Sequence, residues 1–222
     1  MKTRTFTAAR DGAAEGRLEL TRGGTHVTVS AAELDELCRA QFAGVIPRTL
    51  AESGRVTIAY PRFSIAELRR HPAHRADIEL TAALPWSIAV YGSLGESSLD
   101  LRGLEVRDFE LAGGAGDLRI ALPVPEGRVR VRMGGGASNV TILHPEGAAA
   151  RLRIGGGASR LAFDGKRFDA IGGGTRLETP NAEATGDVYE IEILGGASRL
   201  TVAERAGDRS EPVSTPALKG RS

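Results

Sequence analysis

Two arginine pairs, Arg130 with Arg132 and Arg151 with Arg153, stand at alternate positions of short segments whose intervening residues are apolar. On a β-strand that spacing projects both guanidinium groups from one side. Such groups hold carboxylates or phosphates in bidentate pairs. Asp108 with Glu110, Glu190 with Glu192 and the mixed pair Arg167 with Asp169 occupy equivalent places in neighbouring segments. If the segments stack in chain order about 4.8 Å apart, this face runs acid, base, base, mixed, acid. Two readings stay open. In one, the flanking acids pair with the outer arginines and the ladder only solubilises and registers the sheet, each exposed pair being worth roughly 0–1 kcal/mol. In the other, Arg130, Arg132, Arg151 and Arg153 bind an anionic partner, because adjacent arginine pairs repel unless something negative lies over them.

Other reactive residue types form no recognisable constellation. Polysaccharide-active β-helix enzymes need clustered carboxylates, but in chain-order stacking Asp108 and Glu110 lie about four coils from Glu190 and Glu192. That is on the order of 15–20 Å, against the roughly 5–10 Å of a glycosidase pair. His26, His71, His74 and His144 show no metal-binding spacing. His71 and His74, with Arg62, Arg69, Arg70 and Arg75, read as a basic loop. No serine sits in a nucleophile elbow, and the lone Cys38 excludes an intramolecular disulfide. No catalytic, cofactor-binding or metal residue is nominated, and no cofactor is expected.

The elements that must position the charges are set by a repeat. Glycine corners recur as Gly113-Gly114-Ala115-Gly116-Asp117-Leu118, Gly135-Gly136-Ala137-Ser138-Asn139-Val140, Gly156-Gly157-Ala158-Ser159-Arg160-Leu161, Gly173-Gly174-Thr175-Arg176-Leu177 and Gly195-Gly196-Ala197-Ser198-Arg199-Leu200. Their last residues step by 22, 21, 16 and 23 positions. A period of about 20 residues is that of a solenoid, whose repeats bury their apolar faces only by stacking. The corners lack the Gly-Lys-Ser/Thr of a phosphate loop, so the glycines answer to positive φ or to close approach of stacked turns. Inward candidates are Phe109 and Leu111, Val131 and Met133, Leu152 and Ile154, Phe168 and Ala170 (or Ile171), and Ile191 and Ile193.

Upstream, Ser30-Ala31-Ala32-Glu33 is a capping-box pattern that predicts a short helix over about 31–43, with Leu34, Leu37, Cys38 and Phe42 on one face. Ser64-Ile65-Ala66-Glu67 offers a second capping box, ended by Pro72. The expected organisation is a flexible arm over 1–15, one solenoid domain over 16–203 with its repeats clearest over 86–203, and a disordered tail over 204–222. Lys and Arg number 29 against 28 Asp and Glu. That balance gives no overall case for nucleic acid or an anionic membrane. No segment approaches the roughly 20 apolar residues of a membrane span, and the single cysteine fits a reducing, cytoplasmic setting.

Trp86-Ser87-Ile88, the Leu101-Arg102-Gly103-Leu104 step, the Leu122-Pro123 turn and the Gly-Gly-Ala-Ser corners together resemble the bacterial toastrack, or putative-adhesin, group over roughly 75–203. That group is related to the C-terminal domain of cell-wall-antibiotic-response regulators. The resemblance implies a right-handed parallel β-solenoid (all-β), no catalytic residues, and an interaction module in envelope-stress signalling. The transmembrane helices of membrane-bound members are missing, which points to a soluble adaptor with an unidentified protein partner, touching a membrane only through that partner. Self-assembly into filaments is the alternative reading, because solenoid ends expose strand edges. A polysaccharide-active enzyme is the remaining one.

Overall fold

The computed structural model describes residues 2–61 and 74–205, all of whose regular elements are β-strands. Seven two-strand coils stack face to face. In spatial order they are β6 (Arg55–Ala59) with β7 (Arg75–Thr81), β2 (Gly16–Thr21) with β3 (His26–Ala32), β8 (Pro85–Tyr91) with β9 (Ser97–Asp100), and β10 (Glu105–Leu111) with β11 (Ala115–Ala121). The stack continues with β12 (Arg128–Met133) and β13 (Ala137–His144), β18 (Val188–Ile193) and β19 (Ala197–Glu204), and β14 (Ala149–Ile154) and β15 (Ala158–Phe163). The first member of each coil contributes to a nine-stranded sheet B and the second to a ten-stranded sheet A. Every pairing between successive coils is parallel, as the repeat predicts.

Coil order departs from chain order at both ends. The last coil in sequence, β18–β19, is inserted between β12–β13 and β14–β15, and β2–β3 sits inside β6–β7. Antiparallel strands then close the stack. At one end β4 (Cys38–Ala43) pairs with β7, β1 (Thr3–Ala8) pairs with β4, and β5 (Arg48–Glu52) pairs with β6. At the other, β16 (Lys166–Ile171) pairs with β15 and β17 (Thr175–Glu178) with β14. The purely parallel expectation therefore holds for the stack and fails for its caps.

The helix expected over 31–43 is also replaced. Leu37, Cys38, Ala40 and Phe42 are buried, and Arg39 and Gln41 face outward. This is a period of two that pays out along β4, and pairing with β7 outweighs the local capping signal. Residues 3–8, within the expected flexible arm, are strand β1. The second capping box, His71, Arg62, Arg69 and Arg70, and the tail beyond Arg205 lie outside the described residues, whereas Arg75 of the expected basic loop opens β7.

Between the sheets the core is continuous. Phe109, Leu111, Val131, Met133, Leu152, Ile154, Ile191 and Ile193 are all buried, as their alternation requires. Phe168 and Ile171 pack against the core from the cap, while Ala170 is exposed. Trp86 lies wholly inside and donates its Nε1–H to the Thr81 carbonyl at 2.8 Å. Its ring fills the space where a Cβ on Gly16 would come within 2.7 Å.

The glycine corners are used for close approach. A Cβ on Gly135 would lie 2.7–2.9 Å from backbone atoms of Gly113 and Gly114, and one on Gly195 would meet Gly135 and Gly136 at 2.7–2.8 Å. At four corners positive φ falls three residues after the second glycine, on Asp117, Asn139, Arg160 and Arg199, at 53–56°, and at the fifth it falls on Gly174 itself, at 75°. At those four, neighbouring strands leave the ladder for one residue in register with each other, and two consecutive positions face outward: the positive-φ residue and the one before it, which is Ser138, Ser159 or Ser198, or Gly116 in β11.

Candidate functional site

Outward side chains of sheet B form two rows across five strands. The first runs Asp108, Arg130, Glu190, Arg151, Glu178 and the second Glu110, Arg132, Glu192, Arg153, Arg176, each residue the register partner of the next. Charge alternates at every step of the first row and at all but the last of the second. The expected adjacency of the two arginine pairs is corrected by the inserted coil, which places the glutamates of β18 between them. Arg167 and Asp169 leave this face altogether, because β16 belongs to sheet A, and β17 takes the place assigned to them.

Ion pairing follows the register for Glu192 and is in part diagonal for Glu190, which reaches Arg128 and not its register partner Arg130. Glu192 lies 3.5 Å from Arg132 on one side and 3.3 Å from Arg153 on the other. Glu190 lies 3.9 Å from Arg151 and 4.0 Å from Arg128. Arg132 also reaches Glu110 at 3.9 Å, and Arg151 reaches Glu178 at 3.5 Å while donating to the Ala182 carbonyl at 2.7 Å. Like charges directly opposite one another destabilise a sheet and opposite charges stabilise it by roughly 0.2–1 kcal/mol per pair. The insertion of β18 therefore removes a repulsion and adds attractive contacts on both sides. Arg130 and Arg176 form no ion pair among the described residues.

A shallow groove of about 480 Å³ crosses β12, β18, β14 and β17, lined by Arg130, Arg151, Arg153 and Arg176 together with Glu178, Glu190 and Glu192. The distance argument against carboxylate catalysis also changes. Asp108 and Glu190 are two strand spacings apart, about 10 Å, rather than four. An arginine strand still separates the two acidic strands, so Asp108 and Glu190, like Glu110 and Glu192, do not stand directly opposite one another.

The remaining candidates serve the frame. His144 is wholly buried, with Nδ1 3.0 Å from the Pro145 carbonyl and Nε2 3.0 Å from Asp164 in the β15–β16 turn. His26 lies 3.3 Å from Glu96, and His74 stacks on Tyr60 at 5.6 Å. Burial and the nearby Glu79 push the Cys38 thiol up to about 12, which makes it inert. Among the described residues no group of three or more His, Cys, Asp or Glu could hold a metal ion, and no helix is long and apolar enough to cross a membrane. Sequence reasoning missed Arg176 and Glu178, whose strand follows an irregular 16-residue step.

Comparison with known proteins bears on the fold. A crystal structure of a putative cell adhesion protein from Clostridium sporogenes aligns with a TM-score of 0.76 at 18% identity, covering 92% of this chain and 99% of the other. A putative adhesin from Bacteroides fragilis aligns with a TM-score of 0.34 at 10% identity, covering 92% of this chain and 96% of that one. No curated protein matches. Residues 1–143 match the family model Toast_rack_N, the N-terminal domain of toast_rack, DUF2154. The stacked coils and this match over more than half of the sequence agree: the chain belongs to the toast-rack N-terminal domain family.

Proposed function

We propose that this chain is a non-enzymatic interaction module, a soluble adaptor in bacterial envelope-stress signalling, that presents the ladder face of sheet B to a protein partner. The observation that carries the reading is the groove across β12, β18, β14 and β17. Its backbone is held on both sides by register-matched strands, so its charges are fixed in place before a partner arrives. Arg130 and Arg176 keep cationic capacity for acidic side chains of a partner, and Glu190 and Glu192 set which register that partner can adopt. Alternating charge of this kind confers specificity more than affinity. The cell-adhesion name carried by the C. sporogenes structure supports an interaction role.

The test uses the two arginines without an ion pair, so that folding is preserved. R130Q/R176Q and the wild type are compared in a cross-linked pull-down from the native bacterium, with and without a cell-wall-acting antibiotic. The reading predicts a protein captured by the wild type and lost in the variant at unchanged melting temperature. Equal capture by both would refute it.

A further inference from the structure

The two sheets differ in what their arginines touch. On sheet B, Arg128, Arg132, Arg151 and Arg153 all have a carboxylate within 4.0 Å, and only Arg130 and Arg176 of that face's described ladder have none. On the outward face of sheet A, over the same coils, Arg119, Arg160, Arg167 and Arg199 form no ion pair among the described residues. The acids on that face are few. Asp117 accepts from the amide of Asn139, and Asp169 stands across the antiparallel pair from Arg160. Arg160 and Arg199 occupy equivalent positive-φ positions on neighbouring strands, since Ser159 pairs with Ser198 and Leu161 with Leu200. Both are exposed, with φ of 53° and 54°. That conformation favours Asn, Asp and Gly, and the equivalent positions in the two preceding coils are indeed Asp117 and Asn139. Two adjacent arginines there combine like-charge repulsion with an unfavourable backbone, and among the described residues neither has a carboxylate within 4.0 Å, Asp169 being the nearest acid by register.

The floor around them is flat and hydroxylated. Ser138, Ser198 and Ser159 form one row across three strands, and Thr141, Thr201 and Ala162 form another. Arg119 and Arg167 stand at the two ends of the second row, about 19 Å apart at four strand spacings. No aromatic side chain faces outward on β11, β13, β19, β15 or β16, because Phe163 is buried and Phe168 packs against the core. Base stacking on single-stranded nucleic acid needs such aromatics, and insertion into a lipid surface needs an apolar face.

We infer that the outer face of sheet A is a binding surface for an extended acidic glycan, with Arg160, Arg199 and Arg167 receiving its anionic groups and the serine and threonine rows its hydroxyls. This site is distinct from the groove on sheet B, and the two proposals fail independently.

Binding of polygalacturonate is measured by titration calorimetry at low ionic strength for the wild type, for R160Q/R167Q/R199Q, and for R151Q/R153Q as the sheet B control. Neutral dextran and poly-L-glutamate are the comparison ligands. The inference predicts saturable polygalacturonate binding that falls about tenfold or more in the triple variant, in line with loss of several charge-assisted contacts. It also predicts less than a threefold change in R151Q/R153Q, no binding of dextran, and weaker binding of poly-L-glutamate. Absence of polygalacturonate binding overturns it, as does equal affinity of wild type and triple variant at matched melting temperature. Poly-L-glutamate binding as tightly as the glycan would assign the face to acidic peptides instead.

Discussion

Replacing both β18 glutamates, in E190Q/E192Q, removes the only acidic strand between the two arginine strands and keeps side-chain size. Four ion pairs of 3.3–4.0 Å are lost. All four involve partly exposed groups, so each is worth about 0.3–0.5 kcal/mol. Arg130 with Arg151, and Arg132 with Arg153, then repel across about 10 Å of a water-like medium, adding about 0.4 kcal/mol per pair before screening. The sum is about 2–3 kcal/mol at low salt. For a domain of this size 1 kcal/mol corresponds to about 2–4 °C, so calorimetry should show melting lowered by about 4–11 °C in dilute buffer. At 1 M NaCl, where the screening length is about 3 Å, the difference should fall below half of that. E110Q is the control, because Glu110 has a single arginine partner at 3.9 Å, and its effect should stay within about 0.5 kcal/mol. A double variant no less stable than E110Q, or a loss that salt does not reduce, would refute the assignment of β18 as the electrostatic filler of the ladder.

Three further outcomes follow from the geometry. Gly135→Ala should destabilise by about 1–3 kcal/mol or more through overpacking, since its Cβ would meet Gly113 and Gly114 backbone, while Gly116→Ala, with nothing within 4 Å, should be near neutral in the same urea titration. The Cys38 thiol stays protonated in the folded state up to about 12 but ionises near 8.5 when unfolded. Its contribution to stability is therefore complete below about pH 8.5 and lost as pH rises towards 12, so urea midpoints should fall more steeply over pH 9–11 in the wild type than in C38A. The antiparallel caps, with Arg48 and Glu52 on one edge strand and Lys166, Arg167 and Asp169 on another, turn charged edges to solvent. Light scattering over a concentration series should report a monomer, and growth in mass with concentration would favour end-to-end assembly.

The stack itself was legible because its signal is long-range and repeated. Glycine clusters about 20 residues apart and the alternation of Val131 and Met133 with Arg130 and Arg132 leave little room for another architecture. Coil order was not legible from spacing, since the tool for reading it is the repulsion between Arg130/Arg132 and Arg151/Arg153, which the chain-order register leaves unresolved. In chain-order stacking that repulsion leaves open either a registering ladder or an external anionic partner, whereas in the structure Glu190 and Glu192 of the same chain provide the intervening charge. The caps were missed for a different reason. Asp164-Gly165, with φ of 40° and 78°, is a two-residue hairpin turn, and it accounts for the irregular 16-residue step. Ser53-Gly54, at 48° and 79°, does the same between β5 and β6. At the corners, the sequence allowed either positive φ or close approach for the glycines, and the structure uses both: close approach at Gly135, Gly156 and Gly195, positive φ at Gly174, with Arg160 and Arg199 also at positive φ.

The placement of β18–β19 between two coils that are consecutive in sequence is tested most directly by engineered disulfides at the serine row. Ser138 pairs with Ser198, and Ser198 with Ser159, so Ser138 and Ser159 are two spacings, about 9.6 Å, apart. A disulfide needs Cα atoms about 4.4–6.8 Å apart, and the buried Cys38 does not compete. Mild oxidation should close S138C/S198C rapidly, with a mobility shift on non-reducing gels and a raised melting temperature, and should leave S138C/S159C with two free thiols. Closure of S138C/S159C in place of S138C/S198C would mean that the coils stack in chain order and that the alternating ladder does not exist.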